Sequence, residues 1–134
     1  MVAVEGGFRT KAGEVYNEFP DRFADAFILI GAGYASHWLK ISPELGWTAA
    51  LLAVITAYNR ALGVVAGASQ YFCGPMAKPQ RMAVMTVASV MSVVEVLVRW
   101  PLRVIPVALM IIILGCLLTI VRRTRRIVRA LNSK

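Results

Sequence analysis

Residues 104–121, VIPVALMIIILGCLLTIV, run for eighteen positions without one charged side chain. As a helix that run extends about 27 Å, close to the roughly 30 Å hydrocarbon thickness of a bilayer. It stops abruptly at Arg122-Arg123. In lipid every backbone amide must be bonded within the segment or to a closed barrel, so one uninterrupted apolar run of this length dictates a helix.

The remainder reads the same way. Of 134 residues, 58% are hydrophobic, and the mean hydropathy of +0.66 lies beyond what soluble domains usually carry. Three further stretches are apolar enough to be read as spans. One lies near 21–39 and carries Asp25 close to its start. A second, 45–68, is interrupted by Asn59 and Arg60, and a third, 81–98, holds Glu95 near its end. The expected fold is all-α: a polytopic transmembrane bundle of about four spans, forming a single membrane domain. Residues 1–12 read as a loop centred on Gly6-Gly7, and 122–134 as a basic tail. The polar first twenty residues, with Glu5, Glu14 and Glu18, carry no signal-peptide pattern.

The net charge of +8 raises nucleic acid as a partner, but the distribution of cations argues for topology instead. Arg122, Arg123, Arg125, Arg126, Arg129 and Lys134 all follow the last span. Such a juxtamembrane run belongs on the cytoplasmic side, where it is attracted to anionic lipid. With four spans both termini are cytoplasmic. Eleven cations then lie inside, three (Lys40, Arg99, Arg103) outside, and Arg60 in the membrane. The expected location is an integral position in a cytoplasmic membrane, the bacterial inner membrane, with membrane lipids as partners and no nucleic acid. Cys73 and Cys116 fall in a cytoplasmic connection and a span, so both are expected as free thiols.

Local signals refine the picture. Pro20 removes a backbone donor, so either a helix starting near Gly13 kinks there or the helix begins at Pro20 after a separate turn. Ser42, before Pro43-Glu44, reads as a cap for the second span. Trp100-Pro101 ends the third, with the tryptophan as an interfacial anchor. Glu95 is placed to pair with Arg99 four residues on. Met82, Met85 and Met91 read as lipid-facing or packing residues. Small residues through the first two spans (Gly31, Gly33, Ala35, Ala49, Ala50, Ala53, Ala57, Ala61, Gly63) allow close helix approach.

The chemistry-bearing residues gather at one rim. Gly13, Asn17, Asp21 and Asp25 recur every four positions, which on a helix stacks them on one face. Asn17 joins the two aspartates only if the helix continues through Pro20. Oxygen ligands at a membrane rim suit a hard divalent cation that meets a charged substrate. Asp25 is equally placed to pair with Arg22 or Arg60. Glu14 and Glu18 read as solvated. Arg60, about ten residues from the inner end of its span on these boundaries, is read as binding a substrate phosphate, pairing with Asp25, or snorkelling to the interface. Lys78 and Arg81 share the cytoplasmic side with Asp21. They read as phosphate ligands or simply as products of topology. His37 stands alone on the opposite side and reads as packing.

The spacing of these residues resembles the signature of the membrane CDP-alcohol phosphatidyltransferases, D-x2-D-G-x2-A-R-x8-G-x3-D-x3-D. Ala3 stands at its alanine, Val4 at its arginine, Gly13 at its second glycine, Asn17 at its third aspartate and Asp21 at its last. The segment 74–82, GPMAKPQRM, more loosely resembles a basic connection in some members. The resemblance enters midway through the signature, as if the chain were truncated at its N-terminus, so the leading Asp-x2-Asp-Gly is not matched. It implies transfer of a phosphatidyl or other substituted phosphate from a CDP-linked lipid or alcohol to an acceptor alcohol, with release of CMP. It further implies Mg2+ or Mn2+ held by Asp21 and Asn17, with Asp21 deprotonating the acceptor; Asp25, one turn deeper on the same face, is read as a further metal ligand. Substrate contacts are expected from Ala3, Gly13, Arg60, Lys78 and Arg81, and a homodimer is implied. With half of the metal ligands unmatched, this chain is expected to turn over little or nothing. The competing expectation is a non-catalytic membrane piece that packs with lipid or a partner subunit. A small transporter lined by Arg60 and Asp25 is a third reading, without a repeat to favour it.

Overall fold

A computed structural model describes residues 11–36, 39–67, 75–100 and 103–132. They form four helices, α1 (Lys11–Ala35), α2 (Ser42–Val65), α3 (Lys78–Leu97) and α4 (Val104–Asn132). No strand occurs among the described residues, and the helical fold expected from hydropathy is the one found. Helices α2, α3 and α4 are each long and apolar enough to cross a membrane. In α1 only the stretch after Asp25 is uniformly apolar.

Short connections make consecutive helices antiparallel. The start of α1, the end of α2, the start of α3 and the end of α4 therefore meet at one pole of the bundle. α1 packs chiefly on α2, α2 on α4, and α4 on α3. The core between them is small-residue and aliphatic: Leu29 from α1, Ala49, Ala50 and Ala53 from α2, Met85 from α3, and Ile105, Leu109, Ile112 and Cys116 from α4. At the α1–α2 crossing Gly33 faces Gly46. A β-carbon built on Gly33 would lie 2.9 Å from the Gly46 Cα and 2.7 Å from the Ser42 carbonyl oxygen. Much of the rest of the surface is large and apolar. Val87, Val90, Val93, Val94, Val96 and Leu97 of α3 are all exposed, as suits a helix whose solvent is hydrocarbon.

Several boundaries differ from the sequence expectation. Within the described residues α1 runs unbroken from Lys11 past Pro20, so Asn17, Asp21 and Asp25 do belong to one helix and Lys11 and Ala12 are not loop. Ser42 does not cap α2: Ile41 is the capping residue without a side-chain bond, and Ser42 is the first helical residue. Its hydroxyl is buried without a partner. α2 ends at Val65 because Gly67, at φ 84°, takes the left-handed conformation that closes a helix. Its N–H donates to the Val64 carbonyl at 3.0 Å.

The α3 terminus closes in the same way, with an arginine where glycine is usual. Arg99 has φ 56°, its N–H donates to the Val96 carbonyl at 3.1 Å, and Trp100 N–H donates to the Glu95 carbonyl at 2.8 Å. That double closure is a Schellman motif. It takes Arg99 out of helical register, so the expected Glu95–Arg99 pair does not form. The Glu95 carboxylate, 9% exposed, accepts instead from Arg103 N–H at 3.2 Å and Val104 N–H at 3.3 Å. It thus caps the otherwise orphan amides that open α4. Of the three methionines, Met85 is core and Met91 is half exposed. The expected loop at 1–10, Cys73 and His37 lie outside the described residues; Cys116 is buried and free.

Candidate functional site

The connection into α3 is fixed before the site is built. Thr119 is fully buried; its hydroxyl donates to the Gly115 carbonyl at 2.7 Å and accepts the Met76 N–H at 3.1 Å. Met76 packs over Gly115, where any β-carbon would collide with its side chain. The segment 75–77 is thereby pinned to α4 directly before Lys78 opens α3. The Met76 carbonyl then accepts from Arg81 Nη1 at 3.3 Å. This anchoring aims the first turn of α3 at α1.

What results is a cavity of about 280 Å3 at the pole where the four helix ends converge. Glu18, Asp21 and Arg22 line it from α1, Thr56 and Arg60 from α2, Lys78 and Arg81 from α3, and Arg123 from α4. Asp25 lies one turn below Asp21 on the same face. At the rim Lys78 Nζ stands 2.5 Å from Asp21 Oδ2, and Arg60 Nη2 stands 2.5 Å from Glu18 Oε1. Arg22 also pairs with Glu18. At the base Arg81 Nη2 donates to Asp25 Oδ2 at 2.7 Å, with the two side chains 2% and 4% exposed. Beside them Arg123 Nη1 donates to the Thr56 carbonyl at 2.8 Å. That carbonyl is one whose helical partner is Arg60.

Burial explains the pairing. An isolated ion in the bundle interior costs several kcal/mol, and a partnered one far less, so Asp25 and Arg81 neutralise each other across α1 and α3. Arg81 is still not fully satisfied: its Nε is buried with no partner. The cavity is also asymmetric in charge. Five cations (Arg22, Arg60, Lys78, Arg81, Arg123) and two carboxylates (Glu18, Asp21) line it, with Asp25 buried beneath on Arg81.

The sequence placed most of these residues at one rim, and the structure brings Asp21, Asp25, Arg60, Lys78 and Arg81 together there. It reassigns their partners. Asp25 pairs with Arg81 rather than with Arg22 or Arg60, and Arg60 pairs with Glu18, which is therefore not simply solvated. Arg60 is also not mid-span: α2 ends five residues later at Val65, which puts its guanidinium at the polar pole. Gly13 is an exposed residue near the start of α1 and is not among the residues lining the cavity. Asn17 is helical, but its side chain, that of Glu14, and the whole of Ala3 lie outside the described residues. Arg123 was missed as a site residue because it stands in a run of arginines read as a tail. The signal that separates it is register: four residues beyond Thr119 and seven beyond Cys116, it continues the buried face of α4.

A divalent metal, which the resemblance implies, needs a cluster of anionic oxygens. Among the described residues no three His, Cys, Asp or Glu side chains come together to hold an ion. The carboxylates that do face the cavity are each engaged by a cation. On their own, then, the described residues do not fit a divalent metal. They fit an anion, since guanidinium and ammonium groups converging in a partly enclosed site bind phosphate oxygens well. Comparison with protein-family models, with curated proteins and with solved structures gives no match to this chain.

Proposed function

We propose that this is a membrane-embedded protein that takes the phosphate groups of a CDP-linked lipid or alcohol into its polar cavity. The reaction is that of the phosphatidyltransferases it resembles: transfer of a substituted phosphate to an acceptor alcohol with loss of CMP. The observation that carries this reading is the excess of cations in a polar cavity that opens where apolar helices end. Arg60 and Lys78 stand at the rim, each within reach of a phosphate that replaces its present carboxylate partner. Asp21, 46% exposed at its side chain, is the group that takes the acceptor proton. The leaving CMP carries the electron pair of the broken phosphoanhydride bond. In this reading the cavity faces the cytoplasm, where nucleotide-linked substrates are, and both termini lie on that side of a bacterial inner membrane. Positive residues concentrated at that pole support the orientation. Magnesium enters the reading through the resemblance alone, and no step is drawn through it.

A second reading has its own support. Because every described cavity carboxylate is already paired, the same site serves equally as a non-catalytic binding site for a phosphate-bearing headgroup. The two separate in one experiment on the chain reconstituted in vesicles. Retention of a CDP-linked lipid is measured first, then CMP release with magnesium and an acceptor alcohol. Retention lost on Arg60→Gln, with CMP release lost on Asp21→Asn, supports the transferase. Retention without any CMP release supports the binding module. Retention unchanged by Arg60→Gln and Lys78→Gln together removes both.

A further inference from the structure

The arginine run after the last apolar stretch is not one surface but two. Arg123 turns inward to the Thr56 carbonyl. Thr124 accepts a hydrogen bond from the Asn59 amide at 2.7 Å, and Ile127 packs on Gly63. These contacts dock one face of the α4 extension on α2. Arg122, Arg125, Arg126 and Arg129 are all exposed, and their i, i+3, i+4, i+7 spacing confines them to an arc of about 100°, roughly opposite the docked face. No acidic residue follows Glu95 in the chain. The ion pairs among described residues involve none of the four.

The same arc continues downward as an apolar face: Leu118 lies one turn below Arg122, and Ile111 lies two turns below Leu118. Both are exposed, at 43% and 49%. Helix rise fixes the heights. If 104–121 fills the hydrocarbon layer, Arg122 sits at its edge and Arg129 about 10 Å further out. The headgroup layer on each side is roughly 5–8 Å deep. The stripe therefore passes straight through the plane of the lipid phosphates.

We infer that this face of α4 is a binding site for anionic phospholipid from the adjoining leaflet. Acyl chains lie along Ile111 and Leu118, and the phosphate and any second acidic headgroup are gripped by Arg122, Arg125, Arg126 and Arg129. Docking on α2 holds the helix upright, so the arginines form a fixed ladder rather than a loose tail, and forked guanidinium donors match phosphate oxygens. This site is separate from the polar cavity and stands whether or not the transferase reading does.

The test uses the full chain in vesicles of equimolar phosphatidylglycerol and phosphatidylcholine, extracted into mild detergent, with bound lipid counted by native mass spectrometry. Phosphatidylglycerol is expected to be enriched about tenfold among retained lipids, given the attraction of each basic residue near an anionic surface. Replacing all four arginines by glutamine should bring the ratio to parity while the unfolding temperature stays within a few degrees, roughly that of surface changes. Replacing all four by lysine should keep a reduced enrichment, because charge remains and the fork is lost. Enrichment that survives the four glutamines, or that vanishes on Arg60→Gln alone, would place the lipid elsewhere and overturn the inference. So would a wild-type chain that shows no lipid preference but retains nucleic acid.

Discussion

Replacing Gly33 by alanine isolates the closest contact in the bundle. The added methyl would sit 2.7 Å from the Ser42 carbonyl oxygen and 2.9 Å from the Gly46 Cα, about 0.7 Å inside an ordinary contact at the first of these. Both obstacles are backbone, so no rotamer change relieves them and α1 must move off α2. Overpacking of this kind costs about 1–3 kcal/mol. Against it stands the helix-propensity gain of alanine over glycine, about 1 kcal/mol. Gly31, two residues away on the same helix, has nothing within 4 Å of its would-be β-carbon and so provides the propensity gain alone. The difference between the two variants is then the packing term by itself, about 1–3 kcal/mol. Thermal unfolding of each in the same detergent measures it. Gly33→Ala should unfold below the parent and Gly31→Ala at or above it. If Gly33→Ala proves as stable as Gly31→Ala, the helices do not cross at these glycines and the placement of α1 described above is wrong.

Three further perturbations follow from the same geometry. Asp25→Leu or Arg81→Met alone should destabilise by about 3–5 kcal/mol, since each leaves a buried charge unpaired; the two together should recover most of that loss in a denaturation double-mutant cycle. Glu95→Ala should cost about 1–2 kcal/mol, the range for losing a helix cap, and hydrogen exchange should quicken at the Arg103 and Val104 amides before any others in α4. Arg99→Gly should raise the unfolding temperature, because a β-carbon at φ 56° carries roughly 1–2 kcal/mol of steric cost that glycine avoids.

The helices and the polar pole were legible in the sequence because both are periodic and compositional. Eighteen uncharged residues cannot be anything but a span in lipid, and Gly13, Asn17, Asp21 and Asp25 recur at the helical period whatever surrounds them. Partner choice was not legible, because it depends on how far each helix reaches. Asp25 finds Arg81 because Thr119 and Gly115 hold the 75–77 segment against α4, a contact between positions some forty residues apart with no sequence marker. Glu95 caps α4 instead of pairing with Arg99 because Arg99 leaves the helix. Arg60 lies at the rim because Gly67 stops α2 a turn earlier than hydropathy did. Arg123 was hidden by its neighbours: composition sees a basic run, while register divides it into one inward residue and an outward ladder.

Depth within the cavity separates what holds the fold from what is free to bind. The Asp25–Arg81 pair is 2–4% exposed and joins α3 to α1, so drawing one partner away to a ligand would leave the other charge buried and unpaired. The rim pairs differ. Glu18–Arg60 and Asp21–Lys78 have side chains between 27% and 50% exposed, and ion pairs that open to water contribute only about 0–1 kcal/mol each. A diphosphate, with one charge on each phosphate, can displace those carboxylates with little penalty to folding. Substitution at the rim and at the base should therefore part company. Arg60→Gln and Lys78→Gln are expected to abolish retention of a CDP-linked lipid while moving the unfolding temperature little. Asp25→Asn is expected to lower that temperature first and to weaken retention only through the misplacement of α3. If the rim variants unfold as readily as the base variant, the two layers are one cooperative network, and no part of the cavity is poised for exchange with a ligand.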